Sequence, residues 1–464
     1  MIKLRFVELA ARTGGTLYNT YNSNRAFTGV SIDSRSVTDG MLFVAIRGER
    51  VDGHDYIDQA IDRGASGIVG EFAWPGLESI RGDFPVVGVA DSHEAMISLA
   101  EQYRDSLNAR FVGITGSNGK TTTKELAFSM IKATEPHAFR SPGNLNNLFG
   151  VPLTLFQIPR ETKVAIMELG ISTPGEMDRL ADMVHPDIIV MTNVGPSHLQ
   201  FLSSVEEVAR AKLELVRRAD AGVPVILNAD DPVLMSEAKK IRSDYITFAL
   251  DNEADYAVDD IAVTDNGATA VTIDGRRFLL PLIGRHQVSN LLAAYAAFAT
   301  LGYSFEGVDT EAIRFDTPPM RGQRVTKHDM TFIADCYNAN PESVRAGLAA
   351  FFEMTVPGRR VVILGDMLEL GEKSRDYHRE AGERLAQYDF DLAITVGPLS
   401  QEIISGAIAQ GKPKNIFHHF DNSHDAADAV RALLHEGDFV YLKGSRGIEL
   451  ENVLNVFDDS EEQG

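Results

Sequence analysis

Cysteine is almost absent: Cys336 stands alone in 464 residues. No disulfide can close within the chain, which fits a reducing cytoplasm. Long apolar runs are missing too. The longest, "NLLAAYAAFATLGY", falls short of the roughly 20 residues that span a bilayer and reads as a buried helix. The N-terminus carries Lys3, Arg5, Glu8 and Arg12 where a signal peptide needs an apolar core. No membrane span is expected, and the protein reads as cytoplasmic. Positive charge is in short supply. The 44 lysines and arginines face 66 aspartates and glutamates, for a formal net charge of −22. A nucleic-acid binder must offset phosphate charge over a broad surface, so this balance argues against one. Small anionic ligands stay open, because they need only a local cluster of donors.

What is present is ordinary globular material, 44% hydrophobic and 24% charged, enough for two to four domains. Residues 1–90 hold short strand-like runs ("FTGVSIDSR", "GMLFVAI", "SGIVGEF", "FPVVGVA") around one helical pattern, "HDYIDQAIDRGA". This predicts a small α/β domain. From 91 to 316, "KVAIMELG", "PDIIVMTNVG" and "VPVILNAD" alternate with helical segments, which predicts a parallel sheet with crossover helices. Near its end, "AVDDIAVTDNGATAVTIDGRRFLLPL" reads as a β-meander with Asn-Gly and Asp-Gly turns. "FDTPPMRGQR" reads as a hinge. Residues 317–464 then repeat a strand-then-helix pattern ("TFIADC", "RRVVILGD", "DLAITVG", "DFVYLKG"), which predicts a doubly wound, Rossmann-like domain. The acidic tail "DDSEEQG" reads as disordered. The expected fold class is therefore α/β in three domains.

Residues 113–124, "GITGSNGKTTTK", follow a strand-like run. The strict P-loop places a glycine where Ile114 stands, so the spacing fails while the physics is kept. Gly116 and Gly119 let backbone approach phosphate, the N–H groups of residues 116–122 (Gly116, Ser117, Asn118, Gly119, Lys120, Thr121, Thr122) point at it, and Lys120 adds charge. Thr121 offers a hydroxyl to Mg²⁺. Glu168 ends a buried run, where P-loop proteins hold Mg²⁺, directly or through water; the bland alternative is a surface-turn carboxylate. His198, in "TNVGPSHLQF", is either a site residue or a structural histidine. Helix "SVEEVARAKLELVRRA" opens with a capping box from Ser204 to Glu207 and carries Val205, Val208, Ala209, Leu213 and Val216 as its apolar stripe. Lys212 falls within that stripe. It either snorkels outward or faces phosphate or metal. "DCYNANP", "GDMLELG" and "KGSRG" each follow a strand and together suggest a binding face. Arg324 beyond the hinge is a cation that could reach phosphate, or a surface arginine.

These motifs resemble the Mur ligase family, the ATP-dependent amide-forming enzymes of peptidoglycan precursor synthesis. The likeness runs in order over nearly the whole chain. It takes in "SIDSRSVTDGMLFVAIRGERVDGHDYI", "GITGSNGKTTTKE", "SPGNLNNLFGVPLTL", "MELGISTPGEM", "TNVGPSHLQF", "ARAKLEL", "DCYNANPESV", "GDMLELG" and "LKGSRGIELE". "YNANP" with "GDMLELG" is similar to the branch that adds D-Ala-D-Ala. The Asp-Asn-Pro-Arg motif of the diaminopimelate-adding sister is missing. The resemblance implies a UDP-sugar-binding domain, a central P-loop-like ATPase domain and a C-terminal ligase domain. It implies ATP on the Lys120 loop and two Mg²⁺ ions at Thr121, Glu168 and His198. It further implies a carbamylated Lys212 that also serves metal. Asn290 would face adenine, with Arg324 and Asp335 on the nucleotide from across the hinge. Asn144, Asn146 and Asn147 would lie near phosphate or substrate. Asp33, Ser34 and Arg35 would hold the UDP-sugar, and Tyr337, Asn338 and Asn340 the substrate side of the C-terminal domain. One departure is local: His286-Gln287 stands where the family often has His-Asn.

The implied substrates are UDP-MurNAc-tripeptide and D-Ala-D-Ala, joined by a monomer through an acyl phosphate. A carboxylate needs ATP because it repels an amine and lacks a good leaving group. A P-loop motor or signalling NTPase would leave the motif-bearing C-terminal third unexplained. A folate polyglutamating enzyme would leave residues 1–90 unexplained.

Overall fold

The computed structural model describes residues 1–19, 24–48, 50–80, 84–197, 199–264, 268–356 and 358–458. His198, the Asn266-Gly267 turn and the tail beyond Asp458 lie outside them. The architecture is α/β, with three main sheets that follow one another along the chain.

The first sheet has five strands in the order Thr16–Tyr18, Val86–Val89, Gly67–Glu71, Leu42–Val44 and Val30–Ser31. All neighbours are parallel except the first pair. A short antiparallel pair, Lys3–Arg5 with Ala26–Thr28, flanks it. The helix Ser92–Asp105, capped by the Asp91 carboxylate, leads into the central unit. The first and central units share a core: Phe6 and Leu9 join one cluster with Leu155 and Phe156. The backbone seals the join, with the Ile2 amide donating to Phe156 O at 2.7 Å.

The central sheet is entirely parallel, in the order Ile246–Phe248, Val225–Asn228, Ile188–Met191, Arg110–Thr115, Val164–Glu168 and Ala138–Arg140. Its Val/Ile-rich strands are covered on both faces, as parallel strands must be. One face packs on Met177, Leu180 and Leu215. The other packs on the helix Lys120–Lys132 and the long apolar helix Arg285–Thr300. The chain starts at the middle strand Arg110–Thr115, moves to one edge, returns, and then builds the opposite side. The winding direction therefore switches beside that strand. A crevice opens over its carboxyl end, the usual ligand position in such sheets. The meander is present as Asp260–Val263, Thr269–Ile273 and Arg276–Leu280. Its second turn has both Asp274 (φ 49°) and Gly275 (φ 69°) left-handed, as a two-residue hairpin turn requires.

The last sheet runs Gln323–Lys327, Met330–Asp335, Phe439–Lys443, Arg360–Gly365, Leu392–Val396 and Phe417–Phe420. Only its first strand is antiparallel.

Several local expectations change. The helix read from 204 to 219 is two helices, Val205–Lys212 and Glu214–Arg218, broken at Leu213. Ser204 caps the first through the Glu207 amide, but the Glu207 carboxylate turns to Ser203 instead of closing the box. The helix Phe6–Thr13 and the strands Thr16–Tyr18, Ala138–Arg140, Ile246–Phe248, Gln323–Lys327 and Phe417–Phe420 went unread. All five of these strands are edge strands of three to five residues, too short for a clear period.

Candidate active site at the carboxyl end of the central sheet

The glycine loop leaves the strand Arg110–Thr115 at its carboxyl end and feeds the helix starting at Lys120. Gly119 sits at φ 81°, left-handed, with no room for a Cβ because Asn290 Oδ1 occupies that space. A Cβ on Gly116 would strike Thr192 Oγ1. The loop is shaped from outside itself. Asn193 accepts from the Ser117 amide through its carbonyl and from the Asn118 amide through Oδ1, each at 2.9 Å. Thr192 Oγ1 donates to Asn118 O at 2.6 Å. Asn228 and Asp231 fix Thr192 and Val194 in turn. With the 117 and 118 amides used this way, the donors left for an anion are the first helical N–H groups from Gly119 to Thr122. Sequence reading stressed the glycines and missed Asn193, although it lies in the quoted "TNVGPSHLQF".

Lys120 curls back so that Nζ donates to Gly116 O at 2.8 Å and Ser117 O at 3.2 Å. Burial lowers its pKa, the Glu168 carboxylate raises it, and the Arg321 guanidinium lowers it. The Arg321 charge, in the hinge, thus reaches the loop lysine, while its guanidinium stacks on the Tyr337 ring at 4.0 Å. Arg324 does not; it is exposed on the edge strand Gln323–Lys327 with no partner among the described residues. A three-residue shift along the hinge separates the expected cation from the one the fold delivers.

Glu168 ends its strand fully buried. Asn146 Nδ2 donates to Oε1 at 2.7 Å, while Oε2 has no hydrogen bond. Lys124 lies 3.6 Å from that oxygen. It is itself buried and donates to the carbonyls of Ser141 and Gly143, both at 2.8 Å. Asn147 Oδ1 accepts from the Gly150 amide at 2.9 Å, at the start of the next helix, and Asn144 is exposed. Of the three asparagines, only Asn146 touches Glu168.

Lys212 is buried at the end of its helix, with 1% of its surface exposed. It has no hydrogen bond or ion pair among the described residues. Burial drives its pKa well below the ordinary lysine value, and the neighbouring Lys120 charge pushes it further down.

The C-terminal unit closes over the loop. Asn340, which caps the helix Pro341–Glu353 by accepting from the Ser343 amide, also donates Nδ2 to Asn118 Oδ1 at 2.7 Å. Asn338 Oδ1 accepts from the Ala339 amide at 2.9 Å. Asp335 is held by Lys443 at 2.8 Å and by the Tyr441 hydroxyl at 3.0 Å. Asn290, near the loop, bonds Gln287 at 3.0 Å. His286 beside it is half-buried, and desolvation pushes its imidazole down to about 4. In the first unit, Arg35 clamps Asp33 at 2.8 Å and holds that carboxyl below its usual range, while Ser34 Oγ donates to Gln59 at 2.6 Å. Asp33, Ser34 and Arg35 therefore form a separate cluster. The loop, Glu168, Lys120, Lys212, Arg321 and Asn340 form the crevice.

Three family models match the chain in order. They are described as the Mur ligase family catalytic domain (residues 26–104), the Mur ligase middle domain (114–298) and the Mur ligase glutamate ligase domain (320–446). The UDP-N-acetylmuramoyl-tripeptide–D-alanyl-D-alanine ligase of Bacillus subtilis is 33% identical over 98% of both chains. That of Escherichia coli is 31% identical over 93% of this chain and 94% of its own. Among solved structures, MurF from Acinetobacter baumannii superposes with a TM-score of 0.85 at 26% identity, covering 98% of each chain. MurF ligase from Thermotoga maritima in complex with ADP gives 0.79 at 28% identity, covering 93% of this chain and 97% of that one.

Proposed function

The chain belongs to the Mur ligase family, and on that premise we propose that it joins D-Ala-D-Ala to the terminal carboxylate of UDP-MurNAc-tripeptide at the expense of ATP. The observation that carries this reading is the crevice itself. A phosphate-type loop, a carboxylate with one oxygen that has no hydrogen bond and a buried lysine with a lowered pKa converge beneath a docked C-terminal unit. The work belongs to cytoplasmic peptidoglycan precursor synthesis and is done by a monomer. No described helix is long and apolar enough to cross a membrane.

ATP binds with its phosphates on the helix start at Gly119–Thr122 and on Lys120. Lys120 leaves its two loop carbonyls for the phosphate when the nucleotide arrives. Arg321 brings a second cation from the hinge, and Asn290 and Asp335 flank the nucleoside side. The γ-phosphoryl group passes to the tripeptide carboxylate, giving an acyl phosphate. The free amine of D-Ala-D-Ala attacks the acyl carbon, the C–O bond to phosphate breaks, and the amine proton leaves. The chain's part is to position these groups and offset charge. Asp33, Ser34 and Arg35 hold the UDP-sugar. Tyr337, Asn338 and Asn340 line the dipeptide side, with Asn144, Asn146 and Asn147 opposite.

The donors fit Mg²⁺, a hard cation that takes oxygen ligands: Glu168 Oε2 is buried without a hydrogen bond, and the Thr121 hydroxyl opens the loop helix. Thr121, Glu168, His198 and modified Lys212 would hold two ions, which would screen the triphosphate from the attacking carboxylate. Lys212 suits carbamylation. An unprotonated amine attacks CO₂, forms an N–C bond and loses a proton, and the resulting anion sits beside the Lys120 charge.

ADP release with UDP-MurNAc-tripeptide, measured with and without D-Ala-D-Ala, tests the whole reading. Release that depends on both substrates is expected. Release indifferent to the dipeptide would point to a plain NTPase and sink the ligase assignment.

A further inference from the structure

We propose that Asn118 and Asn340 are a positioning pair that ties the order of the phosphate loop to docking of the C-terminal unit. Asn118 is gripped at every polar group. Its amide donates to Asn193 Oδ1, and its carbonyl accepts from Thr192 Oγ1 and Asn193 Nδ2. Its side chain meets Asn340 in a reciprocal amide pair, with N–O distances of 2.7 Å and 3.4 Å. The central sheet therefore holds the backbone of this loop residue while the C-terminal unit holds its side chain. The two residues are 222 positions apart, and Asn340 is only 8% exposed.

Asn340 is placed by its own helix. Its Oδ1 accepts from the Ser343 amide, and the Ser343 hydroxyl closes a capping box back to the Asn340 amide. A capped helix start is rigid, so the donor aimed at Asn118 moves only when the helix Pro341–Glu353 moves. Nearby contacts agree with one docked surface: the Glu342 side chain faces Gly195, and the Gln200 amide donates to Glu369 O at 3.3 Å. One interaction opposes docking. The Arg321 and Lys120 cations repel. The amide pair offsets that repulsion before any anion arrives, and a bound triphosphate turns it into attraction. Nucleotide binding and docking therefore reinforce each other through this pair.

The inference rests on the nucleotide-binding half of the reading above. Its test is a double-mutant cycle on the full chain with Asn118→Ala, Asn340→Ser and both. Calorimetry with a non-hydrolysable ATP analogue gives affinity, and X-ray scattering gives the ligand-free radius of gyration. Serine still caps a helix but is too short to reach Asn118, and Asn118→Ala leaves the cap alone, so a folding failure in one variant leaves the other as the test. Each single change is expected to weaken the analogue about 3- to 10-fold. The double variant is expected to bind no worse than the weaker single. Ligand-free Asn340→Ser expands and contracts again at saturating analogue. Additive losses in the cycle, or an unchanged ligand-free radius in both single variants, would overturn the pair. If wild type binds the analogue but makes no D-Ala-D-Ala product, the ligase reading fails and the pair survives. If it binds no analogue, both fail.

Discussion

Lys124 and Lys212 are both buried lysines that flank the same crevice, yet their surroundings are opposite. Lys124 has two carbonyls at 2.8 Å, with Glu125 at 3.3 Å and Glu168 at 3.6 Å. Arg140 continues the chain of charges to Glu125 at 2.6 Å. Lys212 has none of these and instead feels another cation. A buried ammonium is tolerated when its protons are used and its charge is met. By that standard Lys124 is part of the scaffold that aims Glu168. Lys212 breaks the rule, and such exceptions gather at functional sites.

The contrast can be broken most directly at Lys212. Lys212→Met is expected to lower turnover about 10³- to 10⁴-fold, roughly 4–5 kcal/mol of barrier. The same change should leave stability equal or higher, because it removes an unpaired polar group from an apolar stripe. Urea denaturation alongside the ADP-release assay reads both, and clear destabilisation would show that the amine has a partner. Lys124→Met should do the reverse. It strands two carboxylates and two carbonyls, and a loss of about 3–5 kcal/mol in urea unfolding is expected. A near-neutral result would remove Lys124 from the scaffold.

The smallest effect sharpens the contrast through pH. Burial lowers Lys212 in the folded chain, so between that depressed value and the ordinary 10.5 the unfolded chain binds more protons. Stability should therefore rise with pH across this window. The rise ends above 10.5, where both states are neutral. In CO₂-free buffer, the wild-type profile minus that of Lys212→Met should slope upward as pH approaches 10.5 from below, by up to about 1 kcal/mol per pH unit. A flat difference would mean that Lys212 titrates normally.

Much of this was legible in the sequence because buried elements write clear patterns. The parallel strands announce themselves as Val/Ile runs, and the capped helix carrying Lys212 shows its apolar stripe. The α/β class and the family follow from motifs that keep their order along the chain. Other features depend on where distant segments meet. Nothing local distinguishes Asn193 from any other loop asparagine; its value comes from lying one strand over from Gly116. Arg321 and Arg324 are both hinge arginines, and only the turn around Gly322 (φ 75°) decides which charge reaches Lys120. Lys124 stands in plain sight after three threonines, but its burial comes from the 141–147 segment folding over it.

The strand that follows the hinge has one more consequence. Gln323–Lys327 lies at the border of its sheet, hydrogen-bonded on one side only. Its free backbone could template pairing with another chain, which is how soluble proteins begin to aggregate. It is short, and two of its five residues, Arg324 and Lys327, are cationic. Lys327 is paired with Asp458, but Arg324 is exposed, and a β-strand that approached would bury its charge, so the border repels what its backbone invites. Arg324 thus has a second consequence where it stands: its exposed charge disfavours edge-to-edge pairing between copies of the chain.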